Sequence, residues 1–346
     1  MPTPERQYSP ESFEFYLEVT LKQKYDVLVE LYKPEWPEDH KSEEHKWGRL
    51  DLIKPLPICG EYGIVGIDGN EYPIPSYESI KARFKENKEF KTKFNQGFTE
   101  LEMIPFALPI ELLAVKFGKQ ILKHHKAGKL FATKASPDDP DEPLELDTNQ
   151  PLFVWDKWID PSKPEGERGA DVSGECVYHC DNFDPVNHHG HTKQEILAKQ
   201  REIHDPWAGW EVELIEANPN IPREGKGQTI GGRKQPEAGQ TAEQYQRQFQ
   251  TDPQYRHERA QTKEGWIIQN LVHLEKTNQV IDDWQGKGSV TFLLGSYLPA
   301  SGYLGYGCWY RGGRRANLGG GDPWNQDSDI GCRSAVGLGQ KLEFGD

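Results

Sequence analysis

Apolar residues recur at helical spacing early in the chain. Phe15, Val19, Tyr25, Leu28, Val29 and Tyr32 predict one or two amphipathic helices over residues 11–32, stopped by Pro34 and Pro37. The run Gly63-Ile64-Val65-Gly66-Ile67 then reads as a strand, and Asp68-Gly69-Asn70 as a hairpin turn. Ser76 opens a charged amphipathic helix carrying Ile80, Phe84 and Phe90. Between Pro109 and His125, Leu112, Leu113, Val115, Phe117, Ile121 and Leu122 give the widest apolar face of this half. His124 and His125 close it, where the helix dipole favours cations.

Periodicity disappears over residues 136–150, an acidic and proline-rich stretch that reads as a linker. It divides a helical and mixed module, 1–135, from a second half, 151–346, opened by Leu152-Phe153-Val154-Trp155. A glycine-rich loop over 218–239 lacks the spacing of a phosphate loop. Helical spacing returns over 241–259 and 264–280, where Trp266, Ile267, Leu271 and Leu274 form the buried stripe of the second helix. Residues 289–294 predict a buried strand.

The stretch 302–338 has neither lysine nor glutamate, is rich in glycine, and carries Trp309, Tyr310, Trp324, Arg311, Arg314, Arg315 and Arg333. Ordering so many glycines costs backbone entropy, which large aromatics packed on a rigid sheet can offset, and arginines can tie the loops together. The expected order is strand, loop, short strand, loop, strand, with 322–328 as turns and 329–336 as the final strand.

Trp309-x-Arg311-Gly312, Arg315-Ala316-Asn317, Asp322-Pro323 and Ile330-Gly331-x-Arg333 together resemble the end of the C-type-lectin-like fold of the formylglycine-generating-enzyme type. More narrowly they are similar to the variable proteins of diversity-generating retroelements. The resemblance implies an α+β chain, with a C-type-lectin-like C-terminal half behind a mostly helical N-terminal module. It also implies a ligand-binding protein whose terminal surface is diversified at adenines. Trp309, Arg311, Gly312, Arg315, Pro323, Ile330, Gly331 and Arg333 would then be framework. The residues between them would vary: Cys308, Tyr310, Gly313, Arg314, Ala316, Asn317, Gly319, Gly320, Gly321, Asp322, Asn325, Asp327, Ser328 and Asp329. Each is a residue that an asparagine codon yields when its adenines change. Tyr310 and Trp324 are the candidate aromatic anchors.

Composition narrows the partner. A net charge of −14 repels nucleic acid and anionic membranes, so the expected partner is an unidentified protein or other macromolecule. No run approaches the length of a membrane helix and no apolar core follows the N-terminus, which predicts a cytoplasmic product without a signal peptide or membrane insertion. Five cysteines in 346 residues suggest free thiols rather than a disulfide framework.

Two constellations invite chemistry. Cys176, His179, Cys180, His188, His189 and His191 are dense in metal-capable atoms, but their spacing fits no common zinc module, and a histidine-rich surface loop is the alternative. Cys308 and Cys332 could serve metal-dependent oxidation, as a cysteine pair does in the fold's namesake enzyme. Against this, Cys332 stands where the motif has a core phenylalanine, and Cys308 is expected among surface positions. No hydrolytic triad or paired-carboxylate motif is evident, and no catalytic residue or cofactor is expected. An oxidoreductase of the same fold and a structural docking protein are the alternative readings.

Overall fold

A computed structural model describes residues 10–34, 49–57, 60–339 and 342–344. The chain is α+β. Its first helix continues through α1 (Pro10–Phe15), a π-helical segment (Tyr16–Thr20) and α2 (Leu21–Tyr32), ending before Pro34. Pro37 lies outside the described residues. The returning chain satisfies carbonyls at the helix end, as the N–H groups of Leu50 and Leu52 donate to Leu31 and Tyr32 at 2.8 Å each. Strands β1 (Lys54–Pro55), β2 (Tyr62–Val65) and β3 (Glu71–Pro73) form a small sheet whose turn places Gly69 at φ +75°.

Ser76 caps α3 (Tyr77–Glu86) by accepting from the Ser79 N–H. The helix expected to run on to Phe90 breaks at Asn87, which is extended and caps a separate α4 (Lys88–Asn95). Next come β4 (Phe98–Ile104) and α5 (Ile110–Lys126). The second half continues with β5 (Leu152–Val154), β6 (Val177–Tyr178), β7 (His191–Thr192), α6 (Lys193–Glu202), β8 (Glu211–Glu216), and the hairpin β9 (Thr229–Ile230) and β10 (Arg233–Lys234). Capping boxes start α6, from Thr192 and Glu195, and α7 (Ala242–Thr251), from Thr241 and Gln244. Pro253 stops α7 well short of Arg259, which instead sits on β11 (Glu258–Ala260). Helix α8 (Lys263–Thr277) ends on the left-handed Asn278.

The remaining strands are β12 (Asp283–Trp284), β13 (Val290–Leu298), β14 (Tyr303–Tyr310), β15 (Arg315–Gly321), β16 (Ile330–Cys332) and β17 (Ser334–Gly337). Much of the glycine-rich stretch read as loop is therefore two long paired strands. They join an eight-stranded sheet ordered β5-β15-β14-β13-β6-β7, with β12 on β14 and β16 on β13, curled into a half-barrel. A second sheet runs β11-β17-β8-β4. Its strand β4 comes from before residue 136 and pairs with β8 from 211–216, so the sheet crosses the expected module boundary. The largest apolar cluster likewise joins Leu17, Tyr32 and Phe117 to Trp266, Leu318 and Val336, and Leu146 of the expected linker is buried in it. Among the described residues no helix is long and apolar enough to cross a membrane.

Candidate binding surface

Strands β14 and β15 pair in register from Leu304↔Gly321 to Tyr310↔Arg315, and residues opposite one another share a face. The inward face carries Gly305, Gly307, Trp309, Ala316, Leu318 and Gly320. A Cβ added to Gly307 would stand 2.3 Å from the Trp266 ring, and one on Gly320 2.1 Å from Trp155. These glycines are flat spots on which tryptophans lie. Tyr306, Cys308, Tyr310, Arg315, Asn317 and Gly319 face the other way, and the Tyr306 ring covers Gly319, whose added Cβ would come within 2.2 Å of it.

The expected variable positions divide accordingly. Tyr310, Gly313, Asn317 and Gly321 are half-buried, Arg314 is exposed, and the Tyr310 ring lies 5.3 Å from Trp284. Asp322, Trp324, Asn325, Asp327 and Ser328 are exposed, Asp329 is half-buried, and Trp324 shows 60% of its surface. This loop is built rather than loose. Asp322 accepts from the Trp324 N–H at 2.9 Å, Asp327 from Asp329 at 3.0 Å, and Gln326 donates to the Gly239 carbonyl at 2.7 Å. Three expectations fail: Cys308, assigned to the surface, is 1% exposed; Ala316 is 2% exposed on the inward face; and Gly319 is buried beneath Tyr306, while Gly320 is half-buried against Trp155. The pleat accounts for Ala316 on the inward face, but Cys308 and Gly319 are on the other face, which is itself covered near Leu304, Tyr306 and Cys308, and the glycine run gave no hydropathy signal to reveal either.

The arginine framework closes on two acids that sequence reasoning missed. Arg311 makes paired bonds to Asp283 at 2.7 and 2.6 Å and reaches Glu142 at 2.6 Å. Arg333 holds Asp282 at 2.7 and 2.5 Å, and Asp282 also accepts from the Trp266 indole at 2.9 Å. Such fork-shaped pairs tie Arg311 and Arg333, on either side of residues 312–332, to the adjacent Asp282 and Asp283. Arg315 lies over Phe153, 5.1 Å from its centroid, and donates to Gln150.

The metal-capable cluster does not converge; among the described residues no three such groups do. Cys176 Sγ faces Lys263 Nζ at 3.2 Å, His179 pairs with Glu211 at 2.8 Å, His188 accepts from the Gly190 N–H, His189 meets Asp181 at 3.3 Å, and Cys180 packs in an apolar cluster. Cys308 and Cys332 stand on β14 and β16, on opposite sides of β13. Two strand spacings, about 10 Å, separate them, and both thiols are buried and free. Burial pushes both thiols well above their ordinary range, opposite to what a redox pair needs.

Two further groupings escaped the sequence. Lys193, Lys263, Glu264 and Asp171 are fully buried together, Lys193 bonding Asp171 at 2.7 Å and Glu264 at 2.9 Å. Burial opposes ionisation of Glu264, but Lys193 and Lys263 outweigh it and hold its carboxyl at about 2. Beside this cluster opens a cleft of about 880 Å³, whose wall includes Trp210, Glu211, Arg259, Ile196, Phe249 and His179. At its floor Arg259 donates to Glu213 at 3.2 Å and stands 3.5 Å from Glu211. Gly337 leaves it room, since a Cβ there would lie 3.2 Å from Arg259 Nε. Burial also resists ionisation of Glu211, but Arg259 and His179 prevail and lower it, whereas burial pushes Glu213 up to about 7. No protein-family model, curated protein or solved structure matches the chain.

Proposed function

We propose that this chain is a ligand-binding protein whose 310–329 segment displays a diversifiable surface. In this reading its C-terminal half is C-type-lectin-like and its role is that of a variable protein of a diversity-generating retroelement, recognising a macromolecular partner by shape and polar contacts. The observation that carries the reading is the separation of duties along the stretch. Trp309, Arg311 and Arg333 are committed to the core or to Asp282 and Asp283, while Arg314 and the 322–328 loop, Pro323 apart, are exposed and Tyr310 and Asn317 are half-buried. Stability that does not depend on the displayed side chains is what a changeable site requires. Trp324 and Tyr310, beside Trp284, are the aromatic anchors.

Codon-by-codon sequencing of the gene in its source population tests the reading. Variation should concentrate at 310, 314, 317, 322, 325 and 327–329 and spare 309, 311, 320 and 333; sparse, uniform variation would sink it. At the protein level, Trp324→Ala should leave the melting temperature within the scatter of surface changes, below about 0.5 kcal/mol. The same variant should lose any partner selected against the displayed surface.

A further inference from the structure

The cleft above Arg259 is partly occupied by the chain itself. Leu342 and Phe344 line it half-buried while Glu343 between them is exposed, the alternation of a segment turning one face inward. Phe344 stacks on His191, ring centroids 3.5 Å apart. Backbone pairing of this segment with the fold stops, among the described residues, at Leu338, whose N–H donates to Val212 at 2.8 Å. Arg83 then donates to the Gly339 carbonyl at 3.4 Å, and further on Leu342 and Phe344 seat the segment by their side chains.

Two other observations mark the cleft as a site. Nine described non-glycine residues have positive φ, and three of them, His179, His189 and His257, line this one cleft. Backbone strain of that kind persists where surrounding structure imposes it, commonly at binding sites. The two buried carboxylates on its wall are matched from within: Glu211 faces Arg259 and His179, and Glu258 is held by Arg233 and Lys93. The rings of Trp210, Phe249 and Phe106 line the same cleft, a wall suited to apolar side chains.

We propose that the cleft is a peptide-binding groove that accepts, from a second protein, a segment carrying an aliphatic and an aromatic side chain at alternate positions, with residues 342–344 as an intramolecular competitor. Recognition of alternate side chains in adjacent pockets is the mode such a groove supports. The site is separate from the displayed loop, so either can fail alone.

The test uses the full chain and a fluorescein-labelled peptide of residues 338–346, Leu-Gly-Gln-Lys-Leu-Glu-Phe-Gly-Asp. In anisotropy titrations the peptide should saturate the Phe344→Ala protein and bind it about tenfold or more tighter than the unaltered protein, where the tethered segment competes. Leu342→Ala should act in the same direction and serves if Phe344→Ala does not fold by circular dichroism. A peptide with its phenylalanine changed to alanine should not bind. Failure of both variants to saturate at millimolar peptide, equal binding of the altered peptide, or equal binding to the unaltered protein would each overturn the proposal. Sedimentation should show a monomer; a dimer dissolved by Phe344→Ala would mean that a second copy supplies the segment, and would refute its assignment to another protein.

Discussion

Gly320 and Gly321 are neighbours in β15 with opposite surroundings, and replacing each by alanine should have opposite consequences. A Cβ on Gly320 would lie 2.1 Å from two atoms of the Trp155 ring, where carbon atoms rest at about 3.5–4.0 Å. The ring must retreat by well over an ångström, yet it is stacked on Tyr303 at 5.7 Å and edge-on to Trp158 at 6.1 Å, and its backbone N–H is bonded to Leu318. Overpacking against a held ring costs about 2–3 kcal/mol. At about 2 °C per kcal/mol for a chain of this size, Gly320→Ala should lower the melting temperature by about 4–6 °C. At Gly321 the nearest atom would be Tyr306 Cδ1 at 3.2 Å, on a half-exposed ring, and the backbone is not in the left-handed region. The loss of unfolded-state freedom there, about 0.4–1 kcal/mol, offsets the crowding, so Gly321→Ala should be nearly neutral. Urea unfolding of the two variants, followed by tryptophan fluorescence, reads both numbers. Equal costs would refute the packing assigned to these two glycines.

Asp282→Ala should cost about 3–5 kcal/mol in the same assay, because it leaves the half-buried Arg333 guanidinium with only the Pro219 carbonyl and strands the Trp266 N–H, and Arg333→Met in that background should recover part of the loss. For Glu213, with its folded carboxyl raised to about 7, the folded protein holds the proton more tightly than the unfolded chain. Its contribution is therefore favourable at low pH and is lost as pH rises from the ordinary carboxylate range through 7, so Glu213→Gln should raise the melting temperature at pH 8 and have little effect at pH 5. Thiol titration of the native protein should label at most one cysteine per chain, Cys59, which lies outside the described residues, because Cys176, Cys180, Cys308 and Cys332 are buried; rapid labelling of two or more would contradict that burial.

Helices were legible wherever an apolar stripe was regular. The Ile80 and Phe84 stripe and most of the α5 face needed only spacing, though Val115 of that expected face is 47% exposed, and Ser76 announced its own helix. The break at Asn87 was hidden because a polar cap inside a charged run looks like more exposed helix. The β14–β15 hairpin was hidden for a different reason: its period-two pattern is written in glycines, whose role depends on tryptophans contributed by residues 155, 158 and 266. Lys193, Lys263 and Glu264 sit at helix starts, where charges are ordinarily solvated, and only tertiary packing turns them into a buried network. The aromatic and arginine content of the displayed stretch was visible, but which side each residue faces was not, because that follows from strand register.

Strands β16 and β17 come after the 322–329 loop in the chain, yet β17 lies between β11 and β8 in the middle of its sheet, and β16 runs parallel beside β13. Neither sheet can be completed until the ribosome has passed the loop. A chain interrupted or frame-shifted within 322–329 would lack a central strand and the Arg333 clamp, leaving apolar edges open to aggregation and proteolysis. Both sheets therefore depend on residues made after the loop, so the integrity of the fold reports that the loop has been read through in frame.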